Sequence, residues 1–356
     1  MHTRVILAVL ALVCAGPARA EDCGPLKRLA SVDMIPGPGG VRMLVPVTIN
    51  GASRMLLLDT AAGFTTLTAT AASELNLHVL DGSRLKLLDS AGNASRKYVV
   101  VEDFQIGGLQ GKDIPFMITP NPNAGQDLAF AGVLAGDMMA KYDVDLDFAA
   151  RKMQYFSHDH CAGHVVYWPA TMIAVVPFRM QHPIRGVIGE RPRLPLLEDT
   201  HIRVPVTLDG KTFQAVINTG AVRSTMSANT AKFAFGITAD SRGSVPLGAV
   251  DHDPNHRVFG HVFGSLAFEG VTVTNPHVAI RPDLFGSKDP DNGFATGSHA
   301  QRVDDGIGPE ITIGMDVLRR LHLYIAFDER KLYITPATSS GTEAAPAAQA
   351  GNALQP

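Results

Sequence analysis

Two segments of the chain repeat each other, and this duplication limits the folds that the chain can adopt. The first copy consists of VPVTING at 45–51 and DTAA at 59–62. The second copy consists of VPVTLDG at 204–210 and NTGA at 218–221, so that every position lies 159 residues after its counterpart. Each copy contains a β-branched strand pattern, an Asn-Gly or Asp-Gly turn and a second apolar run. The sequence therefore predicts two related lobes that share one strand–turn–strand unit.

The repeat continues beyond these segments. Thr68 and Ser227, again at the same offset, can each cap a short helix, over 69–77 and 228–235. Each half ends with an apolar pair and a glycine, then a short helix and a strand, at 133–148 and 311–328. Short strands, frequent turns and few helices predict an all-β protein with two pseudo-symmetric β-barrel lobes and a cleft between them.

The chain has 356 residues, which suffices for two lobes of ordinary domain size. We predict a signal peptide at 1–20, a first lobe at 21–157, an inter-lobe segment with the start of the second lobe at 158–199, a second lobe at 200–335 and a disordered tail at 336–356. The formal net charge of −3 gives no reason to expect nucleic acid or an anionic membrane surface as a partner.

The N-terminus has the pattern of a secretory signal. Arg4 precedes an apolar run at 5–13 that is too short for a lasting membrane span, and Ala18-Arg19-Ala20 is a small-x-small cleavage site. We expect export to the periplasm or the medium, with cleavage near Ala20. Lipidation at Cys14 is the alternative, disfavoured by Val13 before it.

Two cysteines remain after cleavage, Cys23 and Cys161. An even pair in an exported chain predicts one disulfide between the N-terminus and the inter-lobe segment. Two free thiols are the alternative.

The duplicated Asp-Thr segments resemble those of retropepsin-like aspartic peptidases, specifically the two-lobed, signal-bearing bacterial form. The resemblance covers about 41–156 and 200–335. It implies a closed β lobe in each half, a cleft, endopeptidase activity on peptide bonds, and neither a metal nor an organic cofactor. In this family two carboxylates share one proton and activate a water. The resemblance makes Asp59 the retained catalytic carboxylate and puts Asn218 at the second catalytic position.

The neighbouring residues support the two loops. We expect Thr60 and Thr219 to hydrogen-bond across the lobe interface. The residue after each threonine must let the opposing backbones approach closely, which Gly220 satisfies and Ala61 does not, because alanine adds a methyl group. Ala62 and Ala221 complete the two tetrads. Thr65 and Ser224 can brace the loops from below.

Asn218 leaves the function open between two hypotheses. An amide can donate a hydrogen bond but cannot exchange a proton at ordinary pH, and loss of one acid–base partner costs roughly 10² to 10⁴ in rate. The first hypothesis is an exported aspartic endopeptidase that works through Asp59 with Asn218, with another side chain or a second chain supplying what is missing. The alternative is a silenced pseudo-peptidase that binds peptides or a protein partner in the same cleft.

Other clusters are interpreted as structural. His158, Asp159, His160 and His164 surround Cys161, and a second group follows at 251–256 with His261. Both contain residue types that bind metals, but solvated linker and hairpin residues explain them more simply, although His252 or His256 could reach a ligand. We therefore predict no metal. We also expect a peptide or an unfolded protein segment as the ligand, and a monomer, with a homodimer as the alternative.

Overall fold

The computed structural model describes residues 23–82, 87–88, 94–119, 130–181, 199–249, 256–282 and 311–337. The predicted signal peptide, its cleavage site and Cys14 lie outside the described residues. So do 251–255 of the second histidine group, including His252, and the tail from 338 onward.

The described residues of the first half form thirteen strands and two short α-helices. In chain order these are β1 (Arg28–Asp33), β2 (Ile35–Pro36), β3 (Met43–Ile49), β4 (Ala52–Leu58), β5 (Thr66–Leu67), α1 (Ala69–Glu74), β6 (Leu80–Asp81), β7 (Leu87–Leu88), β8 (Ala94–Ser95), β9 (Lys97–Ile106), β10 (Leu109–Ile118), β11 (Gly132–Leu134), α2 (Gly136–Met139), β12 (Asp143–Asp147) and β13 (Lys152–Phe156).

The described residues of the second half form thirteen more strands and two helices. They are β14 (Ala174–Pro177), β15 (Arg179–Gln181), β16 (Asp199–Leu208), β17 (Lys211–Ile217), β18 (Ser224–Ser227), α3 (Ala228–Phe235), β19 (Val245–Ala249), β20 (Arg257–Val262), β21 (Ser265–Phe268), β22 (Val271–Thr274), β23 (His277–Arg281), β24 (Ile311–Ile313), α4 (Met315–Leu318), β25 (Leu321–Ala326) and β26 (Lys331–Pro336). The predicted helix caps are present, because Thr68 accepts from Ala71 N at 3.0 Å and Ser227 accepts from Thr230 N at 3.0 Å. Pro336, predicted as the first residue of the tail, instead ends β26, opposite Leu321.

The first lobe is a closed barrel. Its six strands pair in the ring β3–β4–β11–β5–β10–β9, which closes through Thr48 opposite Gln105 and Ile49 opposite Phe104. Alternate side chains of these strands fill the barrel, and Val45, Leu56 and Phe116 have no exposed surface. The all-β, two-lobed fold predicted from the duplication is confirmed.

The second lobe repeats this ring with one interruption. Strands β16, β17, β24, β18 and β23 pair in the same order and the same orientations as β3, β4, β11, β5 and β10. The counterpart of the long β9–β10 hairpin is interrupted, so that β20 pairs with β23 in its outer part and β21 pairs with β22 at its tip. Phe263 N donates to Pro276 O at the break between them, at 3.0 Å. Strand β16 pairs with β21, as β3 pairs with β9 in the first lobe.

A six-stranded sheet with the order β1–β13–β12–β25–β26–β14 joins the lobes. Strands β12 and β25, each predicted to close its own half, pair with each other, with Val144 opposite Ile325. The segment after β13 crosses this sheet, where the Trp168 ring stacks on His322 at 3.8 Å between centroids. Cys23 and Cys161 form a disulfide that fixes the N-terminus beside this sheet.

Candidate active site

Parallel strand pairs place Asp59 and Asn218 at equivalent points of the two lobes. Leu58 at the end of β4 pairs with Leu134, and Ile217 at the end of β17 pairs with Ile313. The next backbone N–H continues each ladder: Asp59 N donates to Leu134 O at 3.0 Å, and Asn218 N donates to Ile313 O at 2.9 Å. The buried apolar strands thus deliver both polar side chains to the interface between the lobes.

Four hydrogen bonds from two threonine side chains join the loops that follow these strands. Thr60 Oγ1 accepts from Thr219 N at 3.2 Å and donates to Ile217 O at 2.7 Å. Thr219 Oγ1 accepts from Thr60 N at 3.0 Å and donates to Leu58 O at 3.0 Å. Both threonines are buried. The lobes are thus held in a reciprocal, two-fold arrangement in which each loop supports the other.

Two partly buried carboxylates brace these loops from behind. Thr65 donates through its N–H and its hydroxyl to Asp137, with Oγ1 2.7 Å from Oδ1, and Ser224 does the same to Asp316 at 2.7 Å. The hydroxyls then accept from Ala135 N at 3.1 Å and Gly314 N at 3.0 Å. Burial raises the pKa of both carboxyls, while the hydrogen bonds from Thr65 and Ser224 act in the opposite direction.

Sequence reasoning expected the two hydroxyls but missed their carboxylate partners. It aligned Gly136 with Gly314, whereas the hydrogen bonds make Ala135 the counterpart of Gly314. With that one-residue shift Asp137 and Asp316 coincide, which an alignment of the closing blocks on their acidic residues would have found. Gly314 is required by space, since a Cβ there would lie 2.5 Å from the Arg223 carbonyl carbon.

Asp59 as a residue is partly exposed, but its carboxyl is surrounded by protein. This burial raises the pKa of the carboxyl above its usual range. Its Oδ1 accepts from Ala61 N at 2.9 Å, and this backbone hydrogen bond opposes the shift. The positive charges of His201 and Arg42 oppose it further. The carboxyl therefore loses its proton less readily than a solvated one.

Arg42 and His201 were not predicted, although the sequence contained a signal for them. They are separated by the same 159 residues as the duplicated segments and stand three positions before Val45 and Val204. The repeat thus supplies one basic residue from each lobe, and both act on the single carboxylate at Asp59.

Asn218 is in a different environment from Asp59. The residue is fully buried, and its Oδ1 accepts from Ala221 N at 2.9 Å. Its Nδ2 is buried and has no hydrogen-bond partner among the described residues. The two equivalent positions therefore differ in exposure and hydrogen bonding as well as in chemistry.

The first histidine group faces carboxylates of the six-stranded sheet. His160 Nε2 lies 2.7 Å from Asp143 Oδ2, and His158 Nε2 lies 3.4 Å from Asp143 Oδ1. Burial lowers the pKa of His160, but the hydrogen bonds to Asp143 and the Cys161 carbonyl and the negative charges of Asp143 and Glu329 together outweigh it, so the net shift is upward. Within the described ranges no cluster of His, Cys, Asp or Glu could hold a metal ion. In the same ranges no helix has the length and apolarity needed to cross a membrane.

Comparisons with known proteins agree with this geometry. Residues 45–136 match the family model described as aspartyl protease. A search of curated proteins finds no significant match. A solved structure titled "Crystal structure of edgp" aligns with a TM-score of 0.50 at 9% identity, over 86% of this chain and 94% of that chain, and at that identity the likeness shows the fold alone. The resemblance predicted from the duplicated segments is confirmed: the chain has a retropepsin-like aspartic protease fold, and its first lobe matches the aspartyl protease family.

Proposed function

We propose that the protein is an exported aspartic-type endopeptidase in which Asp59 is the only catalytic carboxylate. One observation carries the proposal: Asp59, a partly exposed residue, lies at the centre of an intact cross-lobe threonine arrangement, and burial of its carboxyl raises the pKa of that group. A raised pKa makes the ionised carboxylate a better base. The aspartyl protease match of the first lobe supports the reaction class.

The proposed reaction needs one carboxylate to act twice. Ionised Asp59 takes a proton from a water, and the oxygen of that water attacks the scissile carbonyl carbon. The protonated Asp59 then returns the proton to the leaving nitrogen as the C–N bond breaks. A two-carboxylate site also has an acid ready for the carbonyl oxygen, so a single carboxylate should be slower by roughly 10² to 10⁴.

The pH dependence follows from this mechanism. Activity requires ionised Asp59, so the rate should rise with pH through the raised pKa of that carboxyl and then level off. A pair of carboxylates that share a proton gives a bell-shaped profile instead. The shape of the profile therefore reports how many carboxyls take part.

The location and the oligomeric state belong to the same proposal. The signal-like pattern at 1–20 and the Cys23–Cys161 disulfide support an oxidising compartment outside the cytoplasm. Thr219 of the same chain already makes the cross-lobe hydrogen bonds of Thr60. This supports a monomer that closes its own site around a peptide or unfolded protein segment.

Cleavage of an unfolded protein substrate between pH 3 and 7 tests the proposal. The mature protein should cut slowly, and Asp59→Asn, which keeps the shape of the side chain, should abolish cutting. Gel filtration before the assay identifies the active species. Cutting that persists in Asp59→Asn would overturn the proposal.

A second candidate function is supported by the burial of Asn218. Its amide nitrogen has no solvent contact, so it cannot reach a carbonyl oxygen in the cleft without a rearrangement. This favours a silenced site that binds a peptide segment without cutting it. Peptide binding measured by calorimetry, together with no cleavage after prolonged incubation, would select this function.

A further inference from the structure

Gly220 leaves room for the Asp59 carboxylate across the lobe interface. A Cβ atom added at Gly220 would lie 2.3 Å from Asp59 Oδ2 and 2.4 Å from Asp59 Cγ, whereas ordinary contacts begin at 3.4 Å. The carboxylate therefore lies directly against the backbone of the opposite loop. A methyl group at position 220 would force the side chain or the loop to move.

The two-fold arrangement gives Ala61 the same relation to Asn218. The threonine hydrogen bonds are reciprocal, and the residue that follows Thr60 corresponds to the residue that follows Thr219. Position 61 therefore faces position 218 as position 220 faces position 59. Here, however, the methyl group is present, and both Ala61 and Asn218 are completely buried.

The hydrogen bonds of the two side chains differ in one backbone partner. The Asp59 carboxyl has backbone hydrogen bonds from Ala61, two residues ahead, and from Ala62, three residues ahead, whereas Asn218 Oδ1 accepts from Ala221 N, three residues ahead. The equivalent of Ala61 N is Gly220 N. The side chain at 218 thus keeps the partner three residues ahead and does not use the one two residues ahead, as expected if the space used by Asp59 is occupied on its side.

We infer that Ala61 is a positioning residue whose methyl group keeps the side chain at position 218 out of the orientation that Asp59 adopts. The second lobe therefore cannot complete a carboxylate pair even when position 218 is acidic. The inference rests on the proposed function of this site. Restoring a pair should need Ala61→Gly and Asn218→Asp together, since either change alone leaves one obstacle in place.

Four proteins test the inference: the wild type, Ala61→Gly, Asn218→Asp and the double variant. Cleavage of a fluorescent unfolded substrate is measured from pH 3 to 7. Carboxyl titration is followed by NMR with ¹³C-labelled aspartate. The double variant should cut at least about 10²-fold faster than Asn218→Asp alone, with a bell-shaped pH profile. Its titration should show two coupled pKa values, whereas the two carboxyls of Asn218→Asp should titrate independently.

The titration separates this inference from the proposed function. Coupled pKa values in the double variant without any cleavage would support the role of Ala61 and reject the endopeptidase. Equal rates and equal coupling in Asn218→Asp and the double variant would overturn the role of Ala61.

Gly220→Ala supplies an independent test if the double variant does not fold. It places the same methyl group against Asp59 in the otherwise unchanged protein. The NMR titration of Asp59 should then shift from its wild-type position, and cleavage should fall at least tenfold. An unchanged Asp59 titration would show that a methyl group at this position does not control the facing side chain.

Discussion

The cross-lobe threonines offer the sharpest test of how the site is built. Thr60→Val keeps the shape of the side chain and removes one hydroxyl. That hydroxyl accepts from Thr219 N and donates to Ile217 O, both in buried surroundings. The substitution therefore leaves the Thr219 N–H without its acceptor and removes a donor from the Ile217 carbonyl, and both groups lie inside the protein. At roughly 1–3 kcal/mol for each buried group left unpaired, the free energy of unfolding should fall by about 2–4 kcal/mol.

Thr66→Val is the matched control. Thr66 is also buried and lies in β5, but its Oγ1 has no hydrogen-bond partner among the residues that the structure describes. Replacing this hydroxyl removes no bond, so the free energy of unfolding should change by less than about 0.5 kcal/mol or should rise.

Urea unfolding at pH 7, followed by tryptophan fluorescence and circular dichroism, measures both variants. Trp168, the single tryptophan, lies on the sheet that joins the lobes, so it reports on their association. The midpoint for Thr60→Val should fall by about 1 M if the slope is near 3 kcal/mol/M. Equal unfolding of Thr60→Val and Thr66→Val would refute the conclusion that these hydrogen bonds hold the two loops together.

Three further perturbations have defined outcomes. Gly220→Ala should lower the free energy of unfolding by about 1–3 kcal/mol through overpacking. Gly260→Ala, whose added Cβ would meet the Leu247 side chain at 3.4 Å, should leave it nearly unchanged, and urea titrations compare the two variants. His201→Gln removes a positive charge that lowers the pKa of Asp59, so that pKa should rise further and the ascending limb of activity should move to higher pH, which NMR titration and the rate profile both measure. Cys161→Ser removes a disulfide between residues 138 positions apart, so the free energy of unfolding should fall by about 4–5 kcal/mol through loop-closure entropy. Reduction of the wild type should lower it by the same amount, and a wild type whose unfolding does not respond to reductant would refute this.

Much of the fold was predictable because the chain is duplicated. A repeat at constant offset shows which strands of the two halves are equivalent, and a buried strand ends where the strands that pair with it end. The positions of Asp59 and Asn218 followed from that logic, as did the cross-lobe bonds of Thr60 and Thr219. The pairing of β12 with β25 did not, because each strand closes its own half of the sequence and nothing local indicates that they meet.

The supporting carboxylates were missed for a similar reason. Asp137 and Asp316 follow different residues in the two closing blocks, and matching the conspicuous glycines shifted the alignment by one position. Only the hydrogen bonds to Thr65 and Ser224 identify the two acids as equivalents. Arg42 and His201 were missed because a basic residue outside a motif gives no sign of which carboxylate it faces.

The sequence by itself determined that this protein has two equivalent lobes, a single acidic residue at the paired position and a methyl group where its counterpart has only a hydrogen atom. The tertiary structure decided what these differences mean. Asp59 is partly exposed and lies against Gly220, while Asn218 is buried and differently hydrogen-bonded. The physical reason is that a repeat encodes local strand geometry, whereas the contact of one loop with its counterpart depends on the two-fold packing of segments 159 residues apart.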